Sequence, residues 1–447
     1  MKTDEIRTRT AALMPRLLTQ LDELVAIPSL AFPGNPPEPM TQMVETLVRM
    51  FREVGFADAR AMPVPHGYPP VYGEIRGPQG SPTVVLYAHY DVQPAPPEQG
   101  WTSDPWTPTR KADGRIYGRG AADDKSGVVS LLGTLGVFEG VPPCTVRLVL
   151  EGMEETESNL EEFVLAHPDL FDADVFVVCD MGNLRVGEPA LTTVLRGDVA
   201  CVVRVRTLEH PLHSGVFGGP APDAMMALAR LLASLQDEAG DVAVQGVTRT
   251  DWDGGEFAEA DFRQGADLLE GVELTGTGPI AARLWARPSI SAIGVDMTSI
   301  AGSSNVLVPQ ASAKISMRIV PGTDPEAELD ALVAHLRSHA PWGAQVEVER
   351  TKAAPGFVCR TDGTAYAAAR EAMTEAFGRP VVEAGCGGSI PLLRTLAQVA
   401  PRAEFVLWGP EDVARSRIHA SDESVDPAEI AGIVAAQALL LQRLGAS

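Results

Sequence analysis

The pattern of hydrophobic residues predicts a chain in which buried strands alternate with helices. Three runs that are almost wholly apolar are typical of strands inside a parallel sheet, because a strand covered on both faces needs apolar residues at nearly every position. They lie at residues 84–88, 146–150 and 175–179. Segments whose apolar residues recur three or four positions apart predict helices. These segments lie at residues 1–28, 41–54, 128–138, 222–235, 325–339, 364–377 and 427–444.

This alternation of strands and helices predicts an α/β fold with a mostly parallel sheet. From about Arg196 the pattern changes to alternating strands with two helices, and residues 245–280 are acidic and Gly-rich without clear periodicity. The first pattern returns near Phe357. A chain of 447 residues is too long for one ordinary core. We therefore predict a discontinuous catalytic domain, residues 1–196 and 357–447, with an inserted α+β domain over residues 197–356.

Composition excludes several classes of protein. A formal net charge of −23 argues against nucleic acid as a partner, since binding to phosphates needs a basic surface. Five cysteines at wide spacing, without a CxxC pair, exclude a disulfide framework and a thiolate zinc site. No apolar run approaches the roughly 18 residues that span a bilayer, and the first residues lack the apolar core of a signal peptide. We expect a cytoplasmic protein without a membrane partner.

Residue types that bind metals follow the three predicted strands. His89 comes after the first strand, Glu154 and Glu155 after the second, and Asp180 after the third. Sites in open α/β sheets gather at the carboxyl ends of the strands. Each motif alone has a simpler interpretation, because a loop histidine beside an aspartate and a solvated pair of glutamates are both common. The metal hypothesis depends on their combination.

Two further segments complete a possible ligand set. Asp123 and Asp124 are adjacent carboxylates that repel each other, so a fold keeps them together more easily with a compensating charge. His419 lies in a late polar loop. Two histidines with several carboxylates are the ligands of a pair of divalent ions such as zinc or manganese.

The spacing of the neighbouring carboxylates suggests different roles for them. Asp91 lies two residues after His89, and residues at that spacing point the same way in an extended chain. It suits the acceptor that orients a metal-binding imidazole through the second ring N–H. The adjacent side chains of Glu154 and Glu155 cannot both point into one small site from a regular strand, but they can diverge at the end of a strand. One is then able to bind a metal while the other takes a proton from water.

The motifs together resemble the co-catalytic zinc metallopeptidases of clan MH. That group includes the carnosine-type cytosolic dipeptidases, carboxypeptidase G, acetylornithine deacetylase and succinyl-diaminopimelate desuccinylase. The runs HSGVFGG and EGMEE resemble the dipeptidase branch most, and an aspartate at position 180 is similar to the aminopeptidase and dipeptidase branches. The motifs occur in order as AHYDVQP, YGRGAADDKSG, EGMEETES, VVCDMGN, PLHSGVFGG, SMRIVPG, GGSIP and IHASDE.

The resemblance implies two metal ions that share one carboxylate. Asp123 is expected to bridge them, with His89 and Asp180 completing the ligands of one ion. Glu155 and His419 are expected to complete the ligands of the other. Zinc is the expected metal, with manganese or cobalt as the alternatives. The resemblance also implies a cis peptide bond between Asp123 and Asp124.

The resemblance further implies roles in catalysis and substrate binding. Glu154 is expected to be the general base and Asp91 the orienting carboxylate. His213 is expected to reach across a two-fold homodimer, formed by the inserted domain, and to stabilise the oxyanion in the partner's site. The residues expected to hold the C-terminal carboxylate of the substrate, or to lie near it, are Arg318, Asn305, Gly388 and Ser389.

The expected function is hydrolysis of dipeptides or short peptides with a free C-terminal carboxylate. The alternative is an N-acyl amino-acid deacylase or carboxypeptidase of the same family. A requirement for a free amino group on the substrate separates the dipeptidase from the deacylase. A catalytically inactive homologue that acts as a binding protein is disfavoured, because every expected ligand and the base are present.

Overall fold

The computed structural model describes residues 1–388 and 390–446. Its helices agree closely with the amphipathic segments of the sequence, although the apolar pattern did not reveal the short helices. None of the described helices is long and apolar enough to cross a bilayer. The α-helices are Thr3–Val25, Glu38–Glu53, Lys125–Val137, Leu160–Ala166, Ser214–Phe217, Ala224–Ala233, Glu259–Gly265, Ile280–Trp285, Pro325–Ser338, Thr364–Phe377, Leu392–Val399 and Pro427–Leu444.

The larger sheet has nine strands and confirms the α/β fold. Its three predicted apolar strands are neighbours and run parallel, with Thr83–His89 between Thr145–Glu151 and Val175–Val178. Pairings nearer the edges are mostly antiparallel, so the sheet is mixed rather than uniformly parallel. The strand order is Arg60–Ala61, Val71–Ile75, Thr145–Glu151, Thr83–His89, Val175–Val178, Glu404–Leu407, Ala190–Leu195 and Phe357–Val358, with Val382–Cys386 beside Ala190–Leu195.

Apolar side chains cover both faces of this sheet, as its continuous apolar strands require. On one face the helices Thr3–Val25, Lys125–Val137 and Pro427–Leu444 pack together over the sheet. On the other face Leu160–Ala166 packs against Leu392–Val399, next to the stacked rings of Phe176 and Phe405. The sheet is thereby held between two layers, and only the ends of its strands remain open for a site.

A second sheet is antiparallel, with all four strands between residues 197 and 354. Its strand order is Ser289–Asp296, Gln310–Ile319, Gly197–Arg206 and Gln345–Ala354. Helices Ala224–Ala233 and Pro325–Ser338 cover one face of it. These strands lie within the segment that the sequence predicts as an inserted domain, but the division into two domains stays a prediction.

The region without clear periodicity, residues 245–280, packs onto the rest of the fold through aromatic side chains. Trp252 and Phe257 contact Trp285 edge to face. The short helix Glu259–Gly265 lies in this region. Isolated aromatic anchors give no periodic signal, which explains why the hydrophobic pattern did not predict this packing.

Three short ladders complete the described structure: Leu212–His213 with Val306–Leu307, Gly182–Asn183 with Glu411–Asp412, and Ser424–Val425 with Ile116–Tyr117 and Thr109–Arg110.

The helix Lys125–Val137 positions the two adjacent aspartates, and Gly127 lets it approach the sheet. A Cβ at Gly127 would overlap the Asp124 carboxylate and the backbone oxygen of Cys179. The latter oxygen belongs to the end of a central strand and has little room to move. The glycine of the DDKSG run is therefore required for close contact between the helix and the sheet.

We expect Gly127→Ala to destabilise the protein by about 1–3 kcal/mol, the usual result of overpacking a core. Gly133→Ala on the same helix is the matched control, because its Cβ would lie 2.7 Å from the side-chain ends of Leu17 and Val434, which are able to shift. Both changes gain the same helix propensity. Thermal unfolding measures the difference, and equal melting temperatures for the two variants would contradict it.

Candidate dinuclear metal centre

The carboxyl ends of three neighbouring parallel strands bring the candidate ligands to one edge of the sheet. His89 is the last residue of its strand, and Asp180 lies two residues beyond the end of the next. Glu154 and Glu155 follow the strand on the other side. This convergence is what the positions of these residues after the apolar runs predict.

Two groups of side chains have the composition and spacing to hold a metal ion. One comprises His89, Asp123 and Asp180, and the other comprises Asp123, Glu155 and His419. Within each group one ligand atom per residue lies within 4.8 Å of the others. These groups are the only ones found among residues 1–388 and 390–446. They contain all five residues that the resemblance implies as ligands, with Asp123 in both groups.

Asp123 occupies the centre because its two carboxylate oxygens face different histidines. Oδ1 lies 2.8 Å from Nε2 of His89, and Oδ2 lies 3.0 Å from Nε2 of His419. Nε2 of His89 also lies 3.6 Å from Asp180 Oδ1. Nε2 of His419 lies 3.2 Å from Glu155 Oε2. One carboxylate therefore separates two nitrogen donors, each with a second carboxylate beside it.

The backbone around Asp123 is held from several sides. The peptide bond between Asp123 and Asp124 is cis, as the resemblance implies. Oδ2 of Asp124 accepts a hydrogen bond of 3.0 Å from the backbone N–H of His89. The loop of the two aspartates is thereby connected to the end of the strand that carries the first histidine.

Glu423 connects the same loop to the loop of His419. Its carboxylate is fully buried and accepts backbone N–H bonds of 3.0 Å from Gly120, 2.9 Å from Ala122 and 3.1 Å from Asp123. Arg119 balances its charge at 2.6 Å. Because Glu423 lies four residues after His419, one carboxylate fixes the relative positions of Asp123 and the second histidine.

Asp91 lies between His89 and the two glutamates. Its carboxylate oxygens each accept a 3.1 Å hydrogen bond, one from the backbone N–H of Glu154 and one from that of Glu155. Nδ1 of His89 lies 3.1 Å from the backbone oxygen of Asp91 and 3.5 Å from Oδ1. The aspartate thus contacts the ring of His89 and also positions the loop of both glutamates, which the sequence did not reveal.

The protein groups of the centre are strongly perturbed by one another. Burial alone would lower the pKa of His89, but Asp180 and Asp123 raise it well above its ordinary value. Burial would likewise lower the pKa of His419, but Asp123 and Glu155 raise it to about 11. Both imidazoles are therefore drawn toward the protonated form by their carboxylates.

The carboxylates of the centre carry more negative charge than the two histidines balance. Burial raises the pKa of Asp180 to about 6. Burial, with Asp180 and Glu155, also raises the pKa of Glu154 well above its ordinary value. Crowded carboxylates beside two imidazole nitrogens fit divalent cations, which compensate such charge and bind both donor types. The donor set therefore suits the two ions that the resemblance implies.

His213 and Asn305 lie together in the second part of the chain, where His213 is exposed. Leu212–His213 pairs with Val306–Leu307, and the backbone N–H of Ser214 donates a 2.9 Å hydrogen bond to the backbone oxygen of Asn305. Nδ1 of His213 accepts a 3.1 Å hydrogen bond from the backbone N–H of Gly215. Two residues far apart in sequence are thus brought into adjacent loops.

Arg318 lies beside a second arginine that the sequence did not single out, Arg196. Arg318 pairs with Ser289 in the antiparallel sheet, and Arg196 Nη1 donates to Ser289 Oγ at 2.9 Å. Among the described residues neither arginine forms an ion pair with a carboxylate. Burial and the charge of Arg318 lower the pKa of Arg196 to about 10.

The first glycine of the GGSIP motif, Gly387, lies against Arg196. A Cβ at Gly387 would lie 3.0 Å from Nη2 of Arg196, and Gly388 follows it on the surface. Ser389 lies outside the described residues. The buried guanidinium of Arg196 and the neighbouring Arg318 make this region cationic, which suits an anionic group.

Sequence reasoning missed three buried charged residues near the centre: Glu423, Arg196 and Glu411. Glu423 lies within the IHASDE run, but its contact with the Asp123 loop is visible only in three dimensions. Arg196 directly precedes the strand Gly197–Arg206. Glu411 is buried, and burial with Asp123 and Asp180 raises its pKa well above the ordinary value. Neither Glu423, between Asp422 and Ser424, nor Glu411, between Pro410 and Asp412, lies in an apolar run that would signal burial.

Comparison with known proteins shows the family. Residues 85–443 match the model of peptidase family M20/M25/M40. The chain is 41% identical over 381 residues to the cysteinylglycine-S-conjugate dipeptidase of Corynebacterium striatum, covering 83% of each chain. It is 29% identical over 388 residues to the Beta-Ala-His dipeptidase of Rattus norvegicus, covering 83% of this chain and 78% of that one.

Solved structures agree with this assignment. Human carnosine dipeptidase 1 matches with a TM-score of 0.83 and 25% identity, over 100% of this chain and 99% of that one. The dipeptidase Dug1p of Saccharomyces cerevisiae has the same fold, with a TM-score of 0.80, 23% identity and the same coverage. The chain belongs to the peptidase family M20/M25/M40, which confirms the resemblance inferred from its motifs.

We expect Glu423→Gln to destabilise the protein and to weaken metal binding. Breaking a buried ion pair leaves the other charge without a partner and costs about 3–5 kcal/mol. Glu53→Gln is the control, because Glu53 pairs with Arg16 on the surface, where such pairs contribute about 0–1 kcal/mol. Thermal unfolding and metal titration measure both effects. Wild-type stability and metal affinity in Glu423→Gln would contradict the role of this carboxylate.

Proposed function

We propose that this protein is a dinuclear metal-dependent dipeptidase, which hydrolyses dipeptides or short peptides with a free C-terminal carboxylate. The observation that carries the proposal is the central position of Asp123 between His89 and His419, with Glu154 beside them. Relatives at 41% and 29% identity are named as dipeptidases. The shared family supports the same class of reaction.

The ligand roles follow from the two groups that share Asp123. His89 and Asp180 would hold one ion together with Asp123, and Glu155 and His419 would hold the other. Nitrogen and carboxylate donors suit zinc, with manganese and cobalt as alternatives. When bound, the ions supply Lewis-acid activation of water and of the scissile carbonyl.

Glu154 is the proposed general base. Its side chain forms no hydrogen bond or ion pair with the described residues, whereas its neighbour Glu155 accepts a 2.7 Å bond from Gln93 and faces His419. The backbone N–H of Glu154 is fixed by Asp91. A carboxylate on an anchored backbone, without a donor of its own, suits transfer of a proton from water to the departing amine.

Arg318, with the buried Arg196 beside it, is the proposed site for the C-terminal carboxylate. An arginine without a carboxylate partner is free to bind one from a ligand in bidentate geometry. Gly388 lies in the neighbouring turn, and Ser389 is proposed to act with it. Asn305 is proposed to approach the same end of the substrate.

A homodimer is proposed through the inserted segment, because its edge strand exposes apolar residues. Ile293 and Val295 are 57% and 51% exposed on Ser289–Asp296, and Ile300 beyond it is 95% exposed. An exposed apolar edge strand is a template for pairing with another chain. The exposed His213 pairs with Val306, six residues after Ile300, and would donate a hydrogen bond to the oxyanion in the partner's site.

We expect Glu154→Gln to retain two metal ions per chain and to lose turnover by about 10²–10⁴-fold, the usual contribution of a positioned base. The glutamine keeps the shape of the side chain but accepts no proton. Glu157→Gln, an exposed change in the same loop, is the control and should keep full activity. Mass spectrometry of metals and dipeptide hydrolysis are the two measurements. Activity above about a tenth of wild type would assign the base elsewhere.

We expect two inactive variants to complement each other if His213 acts across a dimer. His213→Ala and Glu154→Gln homodimers should each be nearly inactive, since each site lacks one group. A re-formed equal mixture should recover roughly a quarter of wild-type activity, because half of the dimers are mixed and each has one complete site.

The control for this experiment is His210→Ala, which removes an exposed histidine three residues away. That variant should keep its activity without any mixing. Native mass spectrometry verifies that mixed dimers form. Mixed dimers without recovered activity, or an active monomer, would show that His213 does not act in the partner's site.

A further inference from the structure

Glu411 lies beside the metal centre on a short strand that the sequence does not predict. The strand Glu411–Asp412 pairs in parallel with Gly182–Asn183, two residues after Asp180. The side chain of Asp412 forms a buried ion pair of 2.7 Å with Arg115. Because successive side chains of a strand point to opposite faces, Glu411 points away from that pair.

A glycine allows Glu411 to come close to the end of the central strand. A Cβ at Gly182 would lie 3.1 Å from Cβ of Glu411. The carboxylates whose charges act on Glu411 are Asp123, Asp180 and Glu423, and the imidazole that acts on it is His89. Burial raises the pKa of the Cys386 thiol, which precedes the two glycines of the turn, and the charge of Glu411 contributes to this rise. The pairing of Glu411 with Gly182, two residues after Asp180, therefore places it beside the candidate ligands.

The carboxylate of Glu411 has no partner in the described residues. It is only 8% exposed, yet no described side chain or N–H donates to it and no cation forms an ion pair with it. Two other buried acids near in sequence differ, since Glu423 has Arg119 and Asp412 has Arg115. Glu411 also belongs to neither group of candidate ligands.

Burying most of a carboxylate without a donor or cation beside it is costly, and a positive ligand would reduce that cost. Three ligand carboxylates would compensate much of the charge of two divalent ions, while Glu411 remains an additional acid beside them. A positive group on the substrate would balance that charge. The α-ammonium group of a peptide is two bonds from the carbonyl carbon of its first residue, so it enters the centre together with the bond that is cleaved.

We propose that Glu411 binds the free α-ammonium group of the substrate and makes the enzyme selective for peptides with a free amino end. The inference rests on the proposed dipeptidase function and specifies its substrate class. An N-acyl derivative carries no charge at that nitrogen and loses the ion pair. Glu411 would thus separate a dipeptidase from an N-acyl amino-acid deacylase of the same family.

The test compares wild type with Glu411→Gln on alanyl-alanine and on propionyl-alanine, which lacks only the amino group. We expect kcat/KM for alanyl-alanine to fall by about 10–100-fold, mainly through KM, as for loss of a charge-assisted hydrogen bond. The value for propionyl-alanine should change by less than about threefold, so that the preference for a free amine largely disappears. Glu328→Gln, a buried carboxylate in the helix Pro325–Ser338, is the matched control and should keep the preference.

Metal content provides the second measurement. We expect Glu411→Gln to retain two ions per chain and the wild-type melting profile within a few degrees. Loss of an ion would make Glu411 a ligand and would overturn the proposal, as would an unchanged preference for alanyl-alanine. If wild type instead cleaves propionyl-alanine but not alanyl-alanine, the dipeptidase function itself fails, and that outcome is distinct from both.

Discussion

The structure of this site depends on one buried carboxylate, Glu423. Its carboxylate accepts hydrogen bonds from the backbone N–H groups of Gly120, Ala122 and Asp123, and Arg119 supplies the opposite charge. The same glutamate belongs to the loop of His419. Hydrogen bonds to a charged acceptor are stronger than neutral ones, and burial keeps water from competing for them. Glu423 therefore positions Asp123 through the backbone of Asp123 and does not contact the carboxylate of that candidate ligand.

A second layer of contacts repeats this principle around the other ligands. Asp124 holds the N–H of His89, while Asp91 holds those of Glu154 and Glu155. Asp124 and Asp91 each accept hydrogen bonds from backbone N–H groups, so the side chains of His89, Glu154 and Glu155 are not used for these contacts. Preorganisation of this kind fixes donor atoms before any ligand arrives and reduces the reorganisation that binding requires. In the DD pair, Asp124 binds the backbone of His89 while Asp123 faces the centre. In the EE pair, the backbone of both glutamates is held by a third acid, Asp91.

Charge links the centre to the surfaces around it. Acidic groups crowd around Asp123, whereas Arg196, beside Gly387, and the neighbouring Arg318 form no ion pair with any carboxylate of the described residues. A dipeptide carries an ammonium group at one end and a carboxylate at the other. Acidic groups at the candidate metal centre and basic groups near the Gly-rich turn are complementary to that zwitterion, and electrostatic complementarity of this kind favours specificity.

The sequence by itself determined the α/β class, the three central strands, the long helices and the five candidate ligands. Those features are local: continuous apolar runs mark buried strands, and motifs of adjacent residues mark the ends of those strands. Only the tertiary structure decided the antiparallel edges of the sheet, the aromatic packing of Trp252 and Phe257, and the positions of Glu411, Glu423 and Arg196. A charged residue looks the same in sequence whether it is solvated or buried. Its role depends on partners hundreds of residues away, and only folding brings those partners together.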